Sequence, residues 1–131
     1  MKKRKLKGVA ALITVISLGS LVFIISLSTA VLTYWSIQNV NANQKSLSAY
    51  YSAYSGIQDA LIRLERKKDF LGFYHLSIYK DNDVGISINK QGNEITITAI
   101  ATMDQFIKKI TAICDLDPNT GLVVPKSIKE G

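Results

Sequence analysis

The chain has 131 residues, 47% of them apolar and 20% charged, with 8 Gly and 2 Pro. That excludes a collagen-like repeat, a disordered linker and an acidic tail, and sets one domain as the prior. A single Cys and a single His leave no disulfide framework, Cys-rich zinc module, multi-His metal site or His-based triad to build. The net charge of +6 is unevenly spread: Lys2, Lys3, Arg4, Lys5 and Lys7 fall in the first eight positions, and beyond them eleven basic residues face ten acidic ones. The basicity therefore belongs to a leader (residues 1–8), not to a nucleic-acid surface, and no nucleic-acid partner is expected.

After Lys7 no charge appears until Lys45. Val9 to Leu32 is apolar or small throughout, about 24 residues or roughly 36 Å of helix, enough to span a bilayer with some tilt. Ser17, Ser20, Ser26, Ser28 and Thr29 inside it are expected to bond back to the helix's own carbonyls. Tyr34 and Trp35 suit the far membrane interface, and the basic leader suits the cytoplasmic side. Residues 9–34 thus predict a transmembrane helix in a single-pass cytoplasmic-membrane protein with its N-terminus inside.

The helix is expected to continue through residues 35–69. Leu47, Tyr50, Tyr54, Ile57, Leu61 and Leu64 recur at steps of three and four, an apolar stripe suited to packing on a sheet. Lys45, Ser48, Ser52, Asp59, Arg63 and Arg66 fall on the opposite face. Gly56 costs about 1 kcal/mol in mid-helix, so it marks either close packing or a break.

From Phe70 the period changes to two. Phe73–Tyr79, Val84–Ile88, Glu94–Thr102, Phe106–Asp115 and Leu122–Pro125 are strand-like runs of differing strength. In the third, Ile95, Ile97, Ala99 and Ala101 share a face; in the fourth, Ile110, Ala112 and Cys114 do. Lys90–Asn93 and Asp117–Gly121 read as turns, and Asp81-Asn82-Asp83 as a loop. Residues 70–131 are therefore expected to form an antiparallel meander of three or four strands. The fold class is α+β: a long N-terminal helix, transmembrane in its first half and amphipathic in its second, packed on a small sheet.

Candidate chemistry is sparse. Asp115-x-Asp117-x-Asn119 resembles the start of a calcium loop, but its glycine is one place late and the closing acid is too far away, so a turn is favoured. Cys114 reads as a buried thiol and His75 as a packing or surface residue. Tyr50, Tyr51 and Tyr54 read as helix packing, and Arg66-Lys67-Lys68 as a solvated helix end. No phosphate loop, nucleophile elbow or acid pair is present. No cofactor, metal site, catalytic residue or small-molecule substrate is expected, and the chain is read as a non-enzyme.

The leader KKRKLKG followed by VAALITVISLGSLVF resembles the N-terminus of the type IV pilin and pseudopilin superfamily. SAYYSAYSGIQDALIRLERKKDF is similar to the segment in which the helix of many minor pilins joins the head, and the Glu94–Leu116 strands are similar to the sheet that follows. The resemblance implies cleavage after Gly8 by a prepilin peptidase and N-methylation of Val9. It further implies residence in membrane lipid, then assembly with other pilin-like subunits into a hetero-oligomeric filament at the cell surface or in the periplasm. Major pilins carry a Glu at the fifth mature position, where it pairs with a neighbour's amine; here that position is Ile13, which implies a minor or tip subunit. Two other fates stay open from the residues alone: an uncleaved signal anchor presenting a small outward-facing binding module, and signal-peptidase cleavage after Ala30.

Overall fold

The structure, a computed structural model, describes the backbone of residues 2–79 and 82–131 and the side chains of residues 8–78 and 82–131. It comprises one helix, α1 (Lys2–Arg66), and five strands: β1 (Gly72–Tyr79), β2 (Asn82–Gln91), β3 (Glu94–Met103), β4 (Phe106–Leu116) and β5 (Val123–Glu130). The chain divides into two units, Met1–Asn41 and Ala42–Gly131. The fold is α+β, as the change of period from 3.6 to 2 predicts.

In the first unit, α1 runs without a break, and every side chain from Gly8 to Val40 stands exposed. The polar side chains of its apolar stretch are satisfied internally. Ser17, Ser26, Ser28 and Thr29 each donate to the carbonyl four residues back, and Ser20 donates to Ser17 O, all within 2.8–2.9 Å. Thr14 and Thr33 do the same. Among the described residues, α1 is the one helix long and apolar enough to cross a membrane.

In the second unit, the strands form a sheet of order β1-β2-β3-β4-β5 with every pairing antiparallel. This is the expected meander with five strands rather than three or four. The extra length has identifiable causes. Lys90 and Gln91 pair with Ile95 and Glu94, so the expected four-residue turn shrinks to Gly92-Asn93, with Gly92 at φ 63°. Asn82 and Asp83 belong to β2, paired with Tyr79 and Ser77; the ladder continues through them in place of the expected loop, while Asp81 lies outside the described residues. The last strand runs past Pro125 to Glu130, because an edge strand tolerates a residue with no N–H to give.

One face of the sheet packs on the last turns of α1. Ile95, Ile97, Ala99 and Ala101 of β3, Ile110, Ala112 and Cys114 of β4, and Val84, Ile86 and Ile88 of β2 are buried together with Ala53, Ile57, Ala60 and Leu64 of α1. Each large side chain fully buried here contributes about 1.5–3 kcal/mol. Tyr50, Leu61, Phe70, Tyr74, Leu76 and Leu116 close the rim.

Helix and sheet approach closely at Gly56. A Cβ there would lie 2.9 Å from Val84 Cγ1 and 3.3 Å from Ile86 Cδ1. Gly56 therefore marks close packing, and α1 continues through it unbroken. Gly56→Ala is expected to lower stability by about 1 kcal/mol: crowding against two buried side chains costs about 1–3 kcal/mol, and the gain in helix propensity returns about 1. Thermal unfolding of the full chain in micelles checks this. Gly19→Ala, at a position with nothing within 4 Å, is the control and is expected to leave the sheet's melting temperature unchanged.

Candidate functional site

Two surfaces carry what the molecule has to offer. The first is the exposed apolar length of α1. Val9 is 55% exposed and Ile13 60%, and both lie on regular helix. The charges of Lys2–Lys7 lie outside the described side chains. Tyr34 and Trp35 are exposed at the end of the apolar stretch, and Gln38 donates to Tyr34 Oη across one turn at 3.2 Å.

The second is the seam between α1 and the sheet. Of the six residues expected there, Ile57 and Leu64 are fully buried, Tyr50 and Leu61 pack partly against the core, and Leu47 and Tyr54 stand exposed. The buried face of the helix is instead Ala49, Ser52, Ala53, Gly56, Ile57, Ala60 and Leu64, again at steps of three and four. Small side chains fit at the close approach around Gly56, and Ile57 and Leu64 complete the buried face. Ser52, placed by the sequence pattern on the solvent face, is buried. Its Oγ accepts a 2.8 Å hydrogen bond from Asn82 Nδ2, the one buried side-chain pair across the seam among the described residues. Asn82 Oδ1 is buried, with no partner among the described residues.

The end of α1 is tied to β1 by a polar cluster. Asp59 Oδ2 accepts from Arg63 Nε at 2.7 Å and from Tyr74 Oη at 2.9 Å. The Arg63 guanidinium lies 4.6 Å from the Tyr74 ring centre and also faces Phe70. Burial, and then the bond to Asp59, push the Tyr74 phenol well above its ordinary range. The bond to Asp59 raises Arg63 in turn. Asp59, which the sequence pattern places on the solvent face, is half-buried and serves both partners. Its Oδ2 thus ties the end of α1 to β1.

The remaining candidates sit as follows. Asp117 accepts bonds from the Asn119 N–H at 2.9 Å and from Thr120 Oγ1 at 2.8 Å, which hold its carboxyl below the usual range. Its oxygens thus fasten their own turn, closed by the Gly121 N–H donating to Asp117 O at 2.7 Å with Gly121 at φ 66°. Cys114 is a free, buried thiol whose pKa burial raises. His75 is exposed, edge-on to Phe73, with Nδ1 3.0 Å from Asp83 Oδ2. Tyr50 and Tyr51 meet edge to face, but Tyr51 points outward. Among the described residues no group of three His, Cys, Asp or Glu is placed to hold a metal ion.

No family model, characterised protein or solved structure matches the chain. Its layout, one long apolar N-terminal helix packed through its later turns on an antiparallel sheet, is pilin-like, and the helix is consistent with single-pass membrane anchoring.

Proposed function

We propose that the chain is a minor pilin-like or pseudopilin-like subunit: an assembly protein held by one helix, cut after Gly8, methylated at Val9 and polymerised through that helix with related subunits. What carries this reading is the division of labour along α1. From Gly8 to Val40 its side chains are uncharged and exposed on all sides. Its later part has one face given wholly to the sheet. A helix so built needs lipid or neighbouring helices around its start. Exchange of one for the other costs little, since the driving force between apolar helices in lipid is packing rather than water exclusion. Ile13 in place of a carboxylate removes the usual partner for a neighbour's amine, which favours a tip or otherwise minor position. The work assigned to the protein is packing, not catalysis; the partners assigned are lipid, prepilin peptidase and other pilin-like chains. Inner-membrane residence with the N-terminus inside, followed by a surface or periplasmic filament, completes the proposal.

Co-expression with a prepilin peptidase, followed by mass spectrometry of the mature N-terminus, is the test. The expected product begins at Val9 and carries one added methyl group. An intact leader would leave a tethered ectodomain as the surviving function, and a terminus at Val31 would mark removal by signal peptidase.

A further inference from the structure

The apolar stretch of α1 ends at the aromatic pair Tyr34 and Trp35. From Lys45 onward the helix is tied to the sheet, first by the Lys45–Asp104 ion pair at 2.5 Å and then, from Ala49, by buried side chains. Residues 36–44, SIQNVNANQ, are held by neither. All but Ala42 stand exposed. Among the described residues, one side-chain hydrogen bond touches the stretch, from Gln38 to Tyr34. None of the nine is charged, so no ion pair between successive turns braces them. The division of the chain into its two units, after Asn41, falls inside this stretch.

Composition weakens it further. Asn39, Asn41 and Asn43 recur at every second position. Asn is a poor helix residue, because its amide bonds nearby backbone in open conformations and so competes with the helix. Ser36, Ile37 and Val40 also rank low. The two interior glycines of α1 are held more firmly by what surrounds them. Opening at Gly19 bares peptide groups to hydrocarbon, which offers them no partner. Gly56 is pinned by Val84 and Ile86. At residues 36–44 water reaches the helix on every side and satisfies each N–H and C=O that an opening releases.

We propose that residues 36–44 are a joint, where α1 opens from helix to extended chain and closes again, so that the membrane segment and the head turn independently. Full opening lengthens the nine residues from about 14 Å to about 30 Å, which also gives the head reach. The joint goes beyond helix-mediated assembly: it needs the start of α1 to lie in lipid, and it stands whether or not the leader is cut.

The test compares the full chain in micelles with the triple variant Asn39→Ala, Asn41→Ala and Asn43→Ala, by nuclear magnetic resonance. In the parent, amides of residues 36–44 are expected to exchange faster than those of residues 12–32 or 49–64, and residual dipolar couplings of the two units to need separate alignment tensors. In the variant, exchange at residues 36–44 is expected to slow about tenfold or more, the combined gain of three better helix formers, with exchange in the sheet unchanged. Four results would overturn the proposal: one tensor fitting both units of the parent, exchange at residues 36–44 as slow as at 49–64, variant exchange within about twofold of the parent, or equally fast exchange over residues 12–32. The last would place the weakness in the whole first unit and count against its residence in lipid.

Discussion

Ile57→Ala is expected to destabilise the helix–sheet unit by about 2–5 kcal/mol. Ile57 is fully buried, and Val84 and Ile86 hem in the adjoining Gly56. Neither side can close the gap: the helix backbone already rests on the β2 side chains, and the β-branched residues of β2 have few alternative rotamers. The truncated site therefore keeps most of its cavity. For a unit spanning Ala42–Gly131, total stability is of order 5–13 kcal/mol, so the loss is a large share of it. Denaturant titration followed by circular dichroism should show the midpoint fall sharply. Ile57→Val should cost about 0.5–1.5 kcal/mol, and Tyr51→Ala, on an exposed ring, about 0.5 or less. A midpoint for Ile57→Ala equal to that of Tyr51→Ala would show that the seam does not carry the fold.

Leu21→Arg is expected to raise the cost of placing α1 in a bilayer by about 3–4 kcal/mol, the cost of Arg plus the lost contribution of Leu. Leu21 is near the middle of the Val9–Leu32 stretch and is 58% exposed, with no acidic side chain between Gly8 and Asn41 to answer the new charge. The share of protein that stays with membranes at alkaline pH should fall, and Leu21→Ile should leave it unchanged. The same substitution should not alter the unfolding midpoint of the sheet, since Leu21 is outside that unit. An unchanged membrane fraction for Leu21→Arg would argue that this stretch does not lie in hydrocarbon.

Much of the fold is legible in the sequence because burial is one-sided. On β3, Ile95, Ile97, Ala99 and Ala101 alternate with Thr96, Thr98 and Thr102, and the alternation maps directly onto inner and outer faces. The apolar helix shows itself by length and absence of charge. The contact face of α1 was harder to see, because bulk was a misleading guide. Leu47 and Tyr54 are large and correctly spaced yet exposed, while the small residues Ala49, Ser52, Ala53, Gly56 and Ala60 share the buried face with Ile57 and Leu64. These small residues recur at the same helical steps, so the signal existed; it becomes readable only once Gly56 is taken as a point of close approach. The polar tie from Ser52 to Asn82 joins residues thirty positions apart, and no local pattern announces such a pair. Strand ends were blurred by residue types that punctuate chains elsewhere: Asn82 and Asp83 by their turn chemistry, Pro125 by its missing donor. Their neighbours in the ladder, not their own preferences, hold them in place.

The hydroxyls of α1 have one more consequence. All seven Ser and Thr side chains between Val9 and Thr33 hand their protons to carbonyls of the same helix. Such a segment makes no polar demand on its surroundings, so moving it from one greasy host to another breaks no hydrogen bond. It also forgoes the directional handshake that would tell the right companion from the wrong one. Whatever discrimination this helix exercises must come from contour, the fit of its bulges and hollows, or be delegated to the folded part of the chain.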